Sequence, residues 1–108
     1  MEIEELLKRY QAGQRKFHRI NLRDAELIKV NLSSADFSKA DFRQARLGKT
    51  NFNHACLREA DLSEAILWGT DLSGADMYRA ILREADLIGG TRAQANLEEA
   101  NFAIASLG

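Results

Sequence analysis

Few side chains in this 108-residue sequence are of the types that carry out chemistry in enzymes. The only imidazole and thiol groups are those of His18, His54 and Cys56. Zinc sites need several such ligands close together, and a reactive cysteine needs a neighbouring group that lowers the pKa of its thiol. The two histidines fall at different positions of the repeat described below, and Cys56 has no adjacent base. The sequence therefore predicts no catalytic residue, no metal site and no cofactor.

The elements that position these side chains follow a period of five residues. From Phe17 to Leu107, every fifth residue is Leu, Phe or Met, with the single exception of Arg92. Alanine usually stands two residues before each central position. The residue just before the centre is often Asp or Asn, which favour turns because their side chains hydrogen-bond locally. Such a short, fixed period over most of the chain indicates a repeat architecture.

Neither a long helix nor a long strand fits this period. Five residues of α-helix turn through about 500°, so successive central residues would form no continuous apolar face. In a strand, side chains alternate between two faces, so an odd period sends successive central residues to opposite sides. The chain is therefore expected to turn once per repeat, with the central residue and the alanine pointing inward. The absence of proline fits a backbone whose N–H groups are needed for hydrogen bonds between coils.

Single repeats can be read directly from the sequence: ADFSK at Ala35–Lys39, ADFRQ at the next five residues, Ala40–Gln44, and later ADLSE at Ala60–Glu64. They resemble the A(D/N)LXX motif of the pentapeptide-repeat family. The resemblance implies an all-β solenoid, a right-handed quadrilateral parallel β-helix with four pentapeptides in each coil. Residues 14–108 would form between four and five coils of it. A hexapeptide β-helix and a leucine-rich repeat are the alternatives, and both require other periods.

The first residues lie outside the repeat and have a helical pattern. Ile3, Leu6, Leu7 and Tyr10 are spaced as one apolar stripe of an α-helix, and Gly13 suits its C-terminal end. The first coil of a solenoid exposes its core, so we expect residues 1–13 to form a short N-terminal capping helix on the β-helix of residues 14–108. Binding of a partner or a membrane by this helix is the alternative interpretation.

The last residues keep the repeat register and place Ile104 where a polar residue is usual. An uncovered β-helix end exposes backbone hydrogen-bonding groups and apolar side chains. We therefore expect a homodimer through Phe102, Ile104 and Leu107. The alternative is a fusion or truncation boundary without a native partner.

Composition limits the remaining classes of function. The formal net charge is −1, there is one cysteine, and no apolar run approaches the length of a membrane span. The near-neutral charge supplies no basic patch for direct nucleic-acid binding. These features predict a single cytoplasmic domain that does not contact a membrane.

Stacking four repeats in each coil places residues twenty apart above one another. One face then carries an outer apolar row, the candidate protein-binding stripe Ile28, Ile66, Trp68 and Ile88. Exposed aromatic and aliphatic clusters often mark protein contacts, with Trp enriched at hot spots. A scattered set of apolar surface residues is the alternative, and we weight the two equally.

An adjoining face stacks Arg23, Arg43 and Arg83 in the same way. Arginines alone would suggest a phosphate-binding track. Because an acidic row that includes Glu64 and Glu84 runs beside them, a solvated charge ladder is the preferred interpretation.

Arg92 occupies a central position that should point inward. A buried guanidinium without a partner would be costly. We therefore expect either a local distortion after Gly89 and Gly90 or a nearby carboxylate.

The sequence thus favours a non-enzymatic solenoid that presents a rigid surface to an unknown protein partner. The resemblance supplies an alternative, since some members of the family bind DNA gyrase by imitating duplex DNA. That role requires a long and strongly acidic dimer, which a near-neutral rod of fewer than five coils does not provide. The resemblance also suggests a bacterial, and specifically cyanobacterial, source.

Overall fold

The computed structural model describes all 108 residues. It has one helix, α1, at Ile3–Gln11, followed by a right-handed, four-sided parallel β-helix. Each coil takes twenty residues, and parallel bridges join Lys16 to Asp36 at the start and Asp86 to Ser106 at the end. No strand is longer than one bridged residue per side, because the chain turns a corner every five residues. The predicted β-solenoid with a short N-terminal helix is confirmed.

Backbone hydrogen bonds connect the coils along every side. The N–H of Phe17 donates to the Asp36 carbonyl at 2.7 Å, and the N–H of Asp36 donates to the Arg15 carbonyl at 2.7 Å. The same pattern repeats through the stack, so each coil is a template for the next. Proline has no N–H and would break this ladder at the bridged positions.

Most corners are closed by the carbonyl of a central residue, which accepts the N–H of the residue three positions later, as from Ala40 to Phe37 at 3.0 Å. The third residue of each turn is left-handed, as in a type II turn. Fifteen of these corner residues are not glycine and have φ between 57° and 62°. Gly69, Gly74 and Gly89 occupy three further corners. A left-handed non-glycine residue costs about 1–2 kcal/mol, so stacking between coils must offset that strain.

The Asp and Asn residues before the central positions stabilise the same corners. In all eleven repeats that have one, its side-chain Oδ1 accepts the backbone N–H two residues later, as from Ser38 to Asp36 at 2.9 Å. These Asx turns fix the direction in which the chain leaves each bridged position. The local hydrogen bonding expected of these residues is confirmed.

The interior is a single column of apolar side chains. Twenty-five buried residues form it, mainly the central Leu, Phe and Met residues and the alanines two positions before them. Phe37 lies among three other phenylalanine rings at centroid distances of 5.3 to 5.9 Å. Thr50 and Thr70 replace alanine on one side, and the buried Thr70 hydroxyl donates to the Leu47 carbonyl at 2.7 Å.

Helix α1 packs on the first coil. Leu6 is fully buried in the apolar column, and Ile3, Leu7 and Tyr10 pack against it. Tyr10 Oη donates to the Ser33 carbonyl at 2.8 Å, and this hydrogen bond ties the helix to the first coil. No helix in the chain is long and apolar enough to cross a bilayer.

Arg92 keeps the register of the repeat. Its carbonyl accepts the N–H of Ala95 at 3.0 Å, as at an ordinary corner, and its side chain is partly exposed. The expected carboxylate partner is absent, since no Asp or Glu lies within 4 Å of the guanidinium. A local change does occur at Gly90, where a Cβ would lie only 2.7 Å from the Thr70 carbonyl oxygen. The chain thus approaches the coil below more closely there than alanine would allow.

Candidate protein-interaction face

One side of the β-helix, here called the Trp68 face, is formed by the repeats centred on Leu27, Leu47, Leu67 and Leu87. The residue after each centre contributes to an outer row, here called the apolar stripe: Ile28, Gly48, Trp68 and Ile88. The three large side chains in it are 45%, 56% and 50% exposed. Ile66 is partly buried and lines the same surface. The structure therefore brings the four predicted stripe residues to one side of the rod.

The indole of Trp68 is held by the next coil. Its Nε1 donates to Asp86 Oδ2 at 2.7 Å, while Asp86 Oδ1 accepts the backbone N–H of Ile88 at 3.1 Å. The polar group of the indole is therefore satisfied within the chain. The exposed part of the ring is apolar and fixed in orientation, which suits it to contact another protein.

Gly48 makes a notch in the apolar stripe. An open depression of about 410 Å³ lies between Ile28 and Trp68, and Gly48 forms its floor. A Cβ placed on Gly48 would meet Ile28 Cδ1 and the Trp68 carbonyl oxygen only at 3.7 Å, so the notch has room for an added side chain. Its two walls are two coil spacings apart, about 10 Å, which is enough for one apolar group.

Charged residues border the notch on both sides. Lys29 and Lys49 lie on the corner that follows the stripe, both exposed and without an ion pair. On the opposite edge, Arg46 lies 3.7 Å from Glu26. The corner beside Trp68 is Gly69, where the backbone has no side chain.

The arginine row on the adjoining face is only partly neutralised, since Arg83 has no carboxylate within 4 Å. Arg43 lies 2.7 Å from Asp41 and 4.0 Å from Asp61, and Gln44 Nε2 donates to Glu64 at 2.8 Å. The hydrogen bond from the Arg43 side chain lowers the pKa of the Asp41 carboxyl. Arg43 therefore belongs to a charge ladder, whereas the Arg83 guanidinium has no ion pair.

Cys56 lies in a column between Asp36 and Asp76. Burial raises the pKa of its thiol, and the two carboxylates act in the same direction. This environment opposes thiolate formation, the opposite of what a nucleophilic cysteine needs. His18 and His54 lie on different sides, and no group of three or more His, Cys, Asp or Glu side chains is arranged to hold a metal ion.

Sequence reasoning missed the contact between Trp68 and Asp86. The spacing contained the signal. Centres twenty residues apart are stacked, so the residue after one centre lies beside the residue before the stacked centre, eighteen positions later in the chain. Four side-chain hydrogen bonds have this separation. They include the bond between Arg58 and Asp76 at 3.1 Å.

The candidate dimer end is partly exposed. Phe102 is half-buried, whereas Ile104 and Leu107 are 71% and 44% exposed. Ile104 is also a β-branched residue at a left-handed corner, with φ 60°. The expected homodimer through these residues stays a prediction.

These features define a solenoid built from five-residue units, with an apolar stripe on one side. The chain belongs to the pentapeptide-repeat family: the family model for pentapeptide repeats matches residues 16–53 and 55–91, in eight copies. No curated protein sequence matches the chain significantly.

Solved structures of the same family are similar to the chain. HetL, a pentapeptide-repeat protein involved in heterocyst differentiation regulation in the cyanobacterium Nostoc sp. strain PCC 7120, is 62% identical over 99% of the chain, with a TM-score of 0.98. The chain spans 45% of the length of HetL. The Nostoc protein alr5209 is 39% identical over 95% of the chain and 73% of its own length, with a TM-score of 0.41.

A plant relative is more distant. AT2G44920, from the Arabidopsis thaliana thylakoid lumen, is 25% identical over 85% of the chain and 68% of its own length, with a TM-score of 0.54. The similarity to HetL, from a cyanobacterium, confirms the predicted cyanobacterial affinity.

Proposed function

We propose that the chain is a non-enzymatic solenoid that binds a protein partner through the Trp68 face. The observation that carries this proposal is the row of half-exposed Ile28, Trp68 and Ile88 side chains on one side of the rod, whereas the exposed Ile81 and Ile104 side chains of an adjoining side do not share a row. Contiguous exposed apolar surface with a central aromatic residue is typical of protein contacts. One free cysteine agrees with a reducing cytoplasm as the location.

Rigidity supports this role. The backbone of the Trp68 face is bonded to the coils on both sides, and the Trp68 indole is anchored to Asp86 at 2.7 Å. A partner therefore meets a surface that loses little conformational freedom on binding, which lowers the entropic cost of association.

Similarity to HetL supports a regulatory rather than a catalytic role. HetL is involved in heterocyst differentiation regulation, and it is 62% identical to the chain. We propose that the chain likewise acts in a cyanobacterium by contacting another protein. Imitation of DNA towards gyrase has less support, because the net charge of −1 lacks the acidity of a duplex. Unchanged gyrase supercoiling in the presence of the protein is the result expected here.

Affinity capture from cyanobacterial extract with matched variants tests the proposal. Trp68→Ser removes the central aromatic residue of the stripe. Tyr78→Ser makes the corresponding change in the same row of the opposite side. A specific partner should be recovered with the wild type and Tyr78→Ser and lost with Trp68→Ser. Equal recovery with all three proteins would show that the Trp68 face does not bind it.

The end residues Phe102, Ile104 and Leu107 are a second proposed contact, between two copies of the chain. Their support is the exposure of Ile104 and Leu107. Ile104→Asp should abolish such a homodimer, measured as a fall in mass by light scattering. A dimer of unchanged mass in this variant would exclude the end contact.

A further inference from the structure

We propose that the Trp68 face is occupied by a second copy of this chain, lying antiparallel across it. This inference rests on the proposed function, since it requires that the face binds protein, and it adds the identity of the occupant. A two-fold axis within the contact, perpendicular to the solenoid, would relate the two copies.

The order of side chains along the apolar stripe sets the antiparallel orientation. The row has five positions, one per coil, because Gly108 follows the fifth centre, Leu107, and stacks on Ile88 without adding a side chain. A two-fold axis placed between Gly48 and Trp68 pairs the first position with the fourth and the second with the third. Ile28 then meets Ile88 of the other copy, and Trp68 enters the notch at Gly48. Both notch and indole are present on each copy, so the contact forms twice. A parallel arrangement would instead place Trp68 against Trp68 and leave both notches empty.

The corner row beside the stripe fits the same pairing. In the antiparallel arrangement Lys49 lies opposite Gly69, and Lys29 lies opposite Gly89. Each lysine thus faces a glycine corner of the other copy rather than a second long side chain, and at Gly69 it shares that corner with Lys49 of the other copy, whose Cγ lies 3.3 Å from where a Gly69 Cβ would be. Lysine has no carboxylate partner within its own chain at either position, so its ammonium group is free to meet carbonyl oxygens of the second copy.

The opposite row contains one like-charge pairing, Glu26 against Asp86. Glu26 already lies 3.7 Å from Arg46 of its own chain, and Asp86 accepts hydrogen bonds from Trp68 and Ile88. Arg46 would lie one coil spacing from Asp86 of the other copy. The row thus carries a net charge of −1 in each copy, −2 across the contact, against +4 from Lys29 and Lys49 of the two copies in the corner row.

Charge along the rod favours the same orientation. Residues 1–54 contain eleven Lys and Arg against seven Asp and Glu, a net charge of +4, whereas residues 55–108 contain four against nine, a net charge of −5. Antiparallel copies place each basic half beside an acidic half. Parallel copies would place like halves together, which is unfavourable and would be most so at low salt.

The contact is small, so the dimer is weak. Three coil spacings along the stripe span about 14 Å, which leaves the buried area below the roughly 800 Å² per partner of a standard interface. Sedimentation velocity from about 10 μM to 1 mM covers the affinities expected of such contacts. The weight-average mass should rise from 12.1 kDa towards twice that value, and more steeply at low salt.

Trp68 reports on its own burial, because it is the only tryptophan. Its emission should shift to shorter wavelength over the same concentration range. Gly48→Gln fills the notch and should abolish both the mass increase and the shift. Ser63→Gln, in the same row of the adjoining side, should retain both. A dimer that survives Gly48→Gln would overturn the proposal, and so would one that is lost only with Ile104→Asp.

Cross-linking determines the orientation. In a Cys56→Ser background, a short bis-maleimide should link Ile28→Cys to Ile88→Cys in a mixture of the two variants. It should link neither variant to itself. Self-linking of Ile28→Cys would overturn the antiparallel arrangement.

A purely monomeric protein up to 1 mM would also overturn the second-copy assignment. If capture from extract still depended on Trp68, the proposed function would stand with another protein as the occupant. If capture were also independent of Trp68, the second-copy assignment and the proposed function would both be wrong.

Discussion

Gly90 offers a direct test of the close approach between two coils. A Cβ on Gly90 would lie 2.7 Å from the Thr70 carbonyl oxygen and 3.4 Å from both the Thr70 nitrogen and the Leu87 oxygen. All three are backbone atoms, so rotation of a side chain cannot relieve the overlap. The Thr70 oxygen is also held in the ladder, since it accepts the N–H of Thr91 at 3.0 Å. Gly90→Ala should therefore force the last coils apart.

The magnitude follows from two opposing effects. Overpacking against fixed atoms costs about 1–3 kcal/mol. Replacing glycine also reduces the conformational entropy of the unfolded chain, which stabilises the folded protein by about 0.4–1 kcal/mol. The net expectation is a decrease of about 1–2 kcal/mol in the free energy of unfolding, which for a domain of this size lowers Tm by roughly 4–16 °C. Gly48→Ala is the matched control: its Cβ has only 3.7 Å contacts, so the entropic effect alone should raise stability slightly.

Urea unfolding of both variants, followed by circular dichroism and Trp68 fluorescence, measures the difference. The two glycines should respond with opposite signs. If Gly90→Ala were as stable as the wild type, the coils would be able to separate freely at that point. If Gly48→Ala lost as much stability as Gly90→Ala, steric contact would not be the cause.

Individual contacts give four smaller expectations. Thr70→Val removes a buried donor to the Leu47 carbonyl and should lower the free energy of unfolding by about 1 kcal/mol in urea titrations. Phe42→Ala should cost about 3–5 kcal/mol in the same assay, and a loss under 1 kcal/mol would contradict a close-packed column. Ile104→Gly should raise Tm slightly, because it relieves a β-branched residue at φ 60°; a fall would show that Ile104 packs favourably. Hydrogen bonds from the backbone N–H and the hydroxyl of Ser73 hold the pKa of the Asp71 carboxyl below its usual range. The stability this provides is complete above the ordinary aspartate pKa of about 3.9 and is lost as the pH falls through the lowered value, so Asp71→Asn should flatten the acid limb of unfolding free energy against pH.

The interior was predictable because the period alone decides which side chains point inward. Ala60 and Leu62 take the two inward positions of one repeat, and both are fully buried. A straight helix or strand with a five-residue period would not bring these two positions of successive repeats back to the same face. The Asp and Asn preference was predictable for the same reason, since an Asx turn needs only local sequence.

The surface was less predictable because it depends on contacts between coils. The period places Trp68 outside, but the direction of its ring depends on Asp86 in the next coil, eighteen residues away. Gly90 is similar, because its closeness to the Thr70 carbonyl depends on the coil below, twenty residues earlier, and not on the local repeat. Arg92 was expected to need either a local distortion or a nearby carboxylate; no carboxylate lies within 4 Å, and the side chain is partly exposed.

Glycine occupies only three of the left-handed corners, and backbone conformation alone does not explain which three. A left-handed corner would be relieved by glycine on any side, yet fifteen of the corners carry side chains with nearly the same φ. Backbone strain therefore does not decide where the glycines stand. Two of the three glycine corners, Gly69 and Gly89, adjoin Trp68 and Ile88. At Gly69 the stem of Lys49 leaves little room, since a Cβ would lie 3.3 Å from Lys49 Cγ, whereas a Cβ on Gly89 would meet only ordinary contacts at 3.7 Å and beyond. Packing within the chain therefore gives no reason for glycine at Gly89, and the proposed contact of the apolar stripe with another protein would need that corner clear.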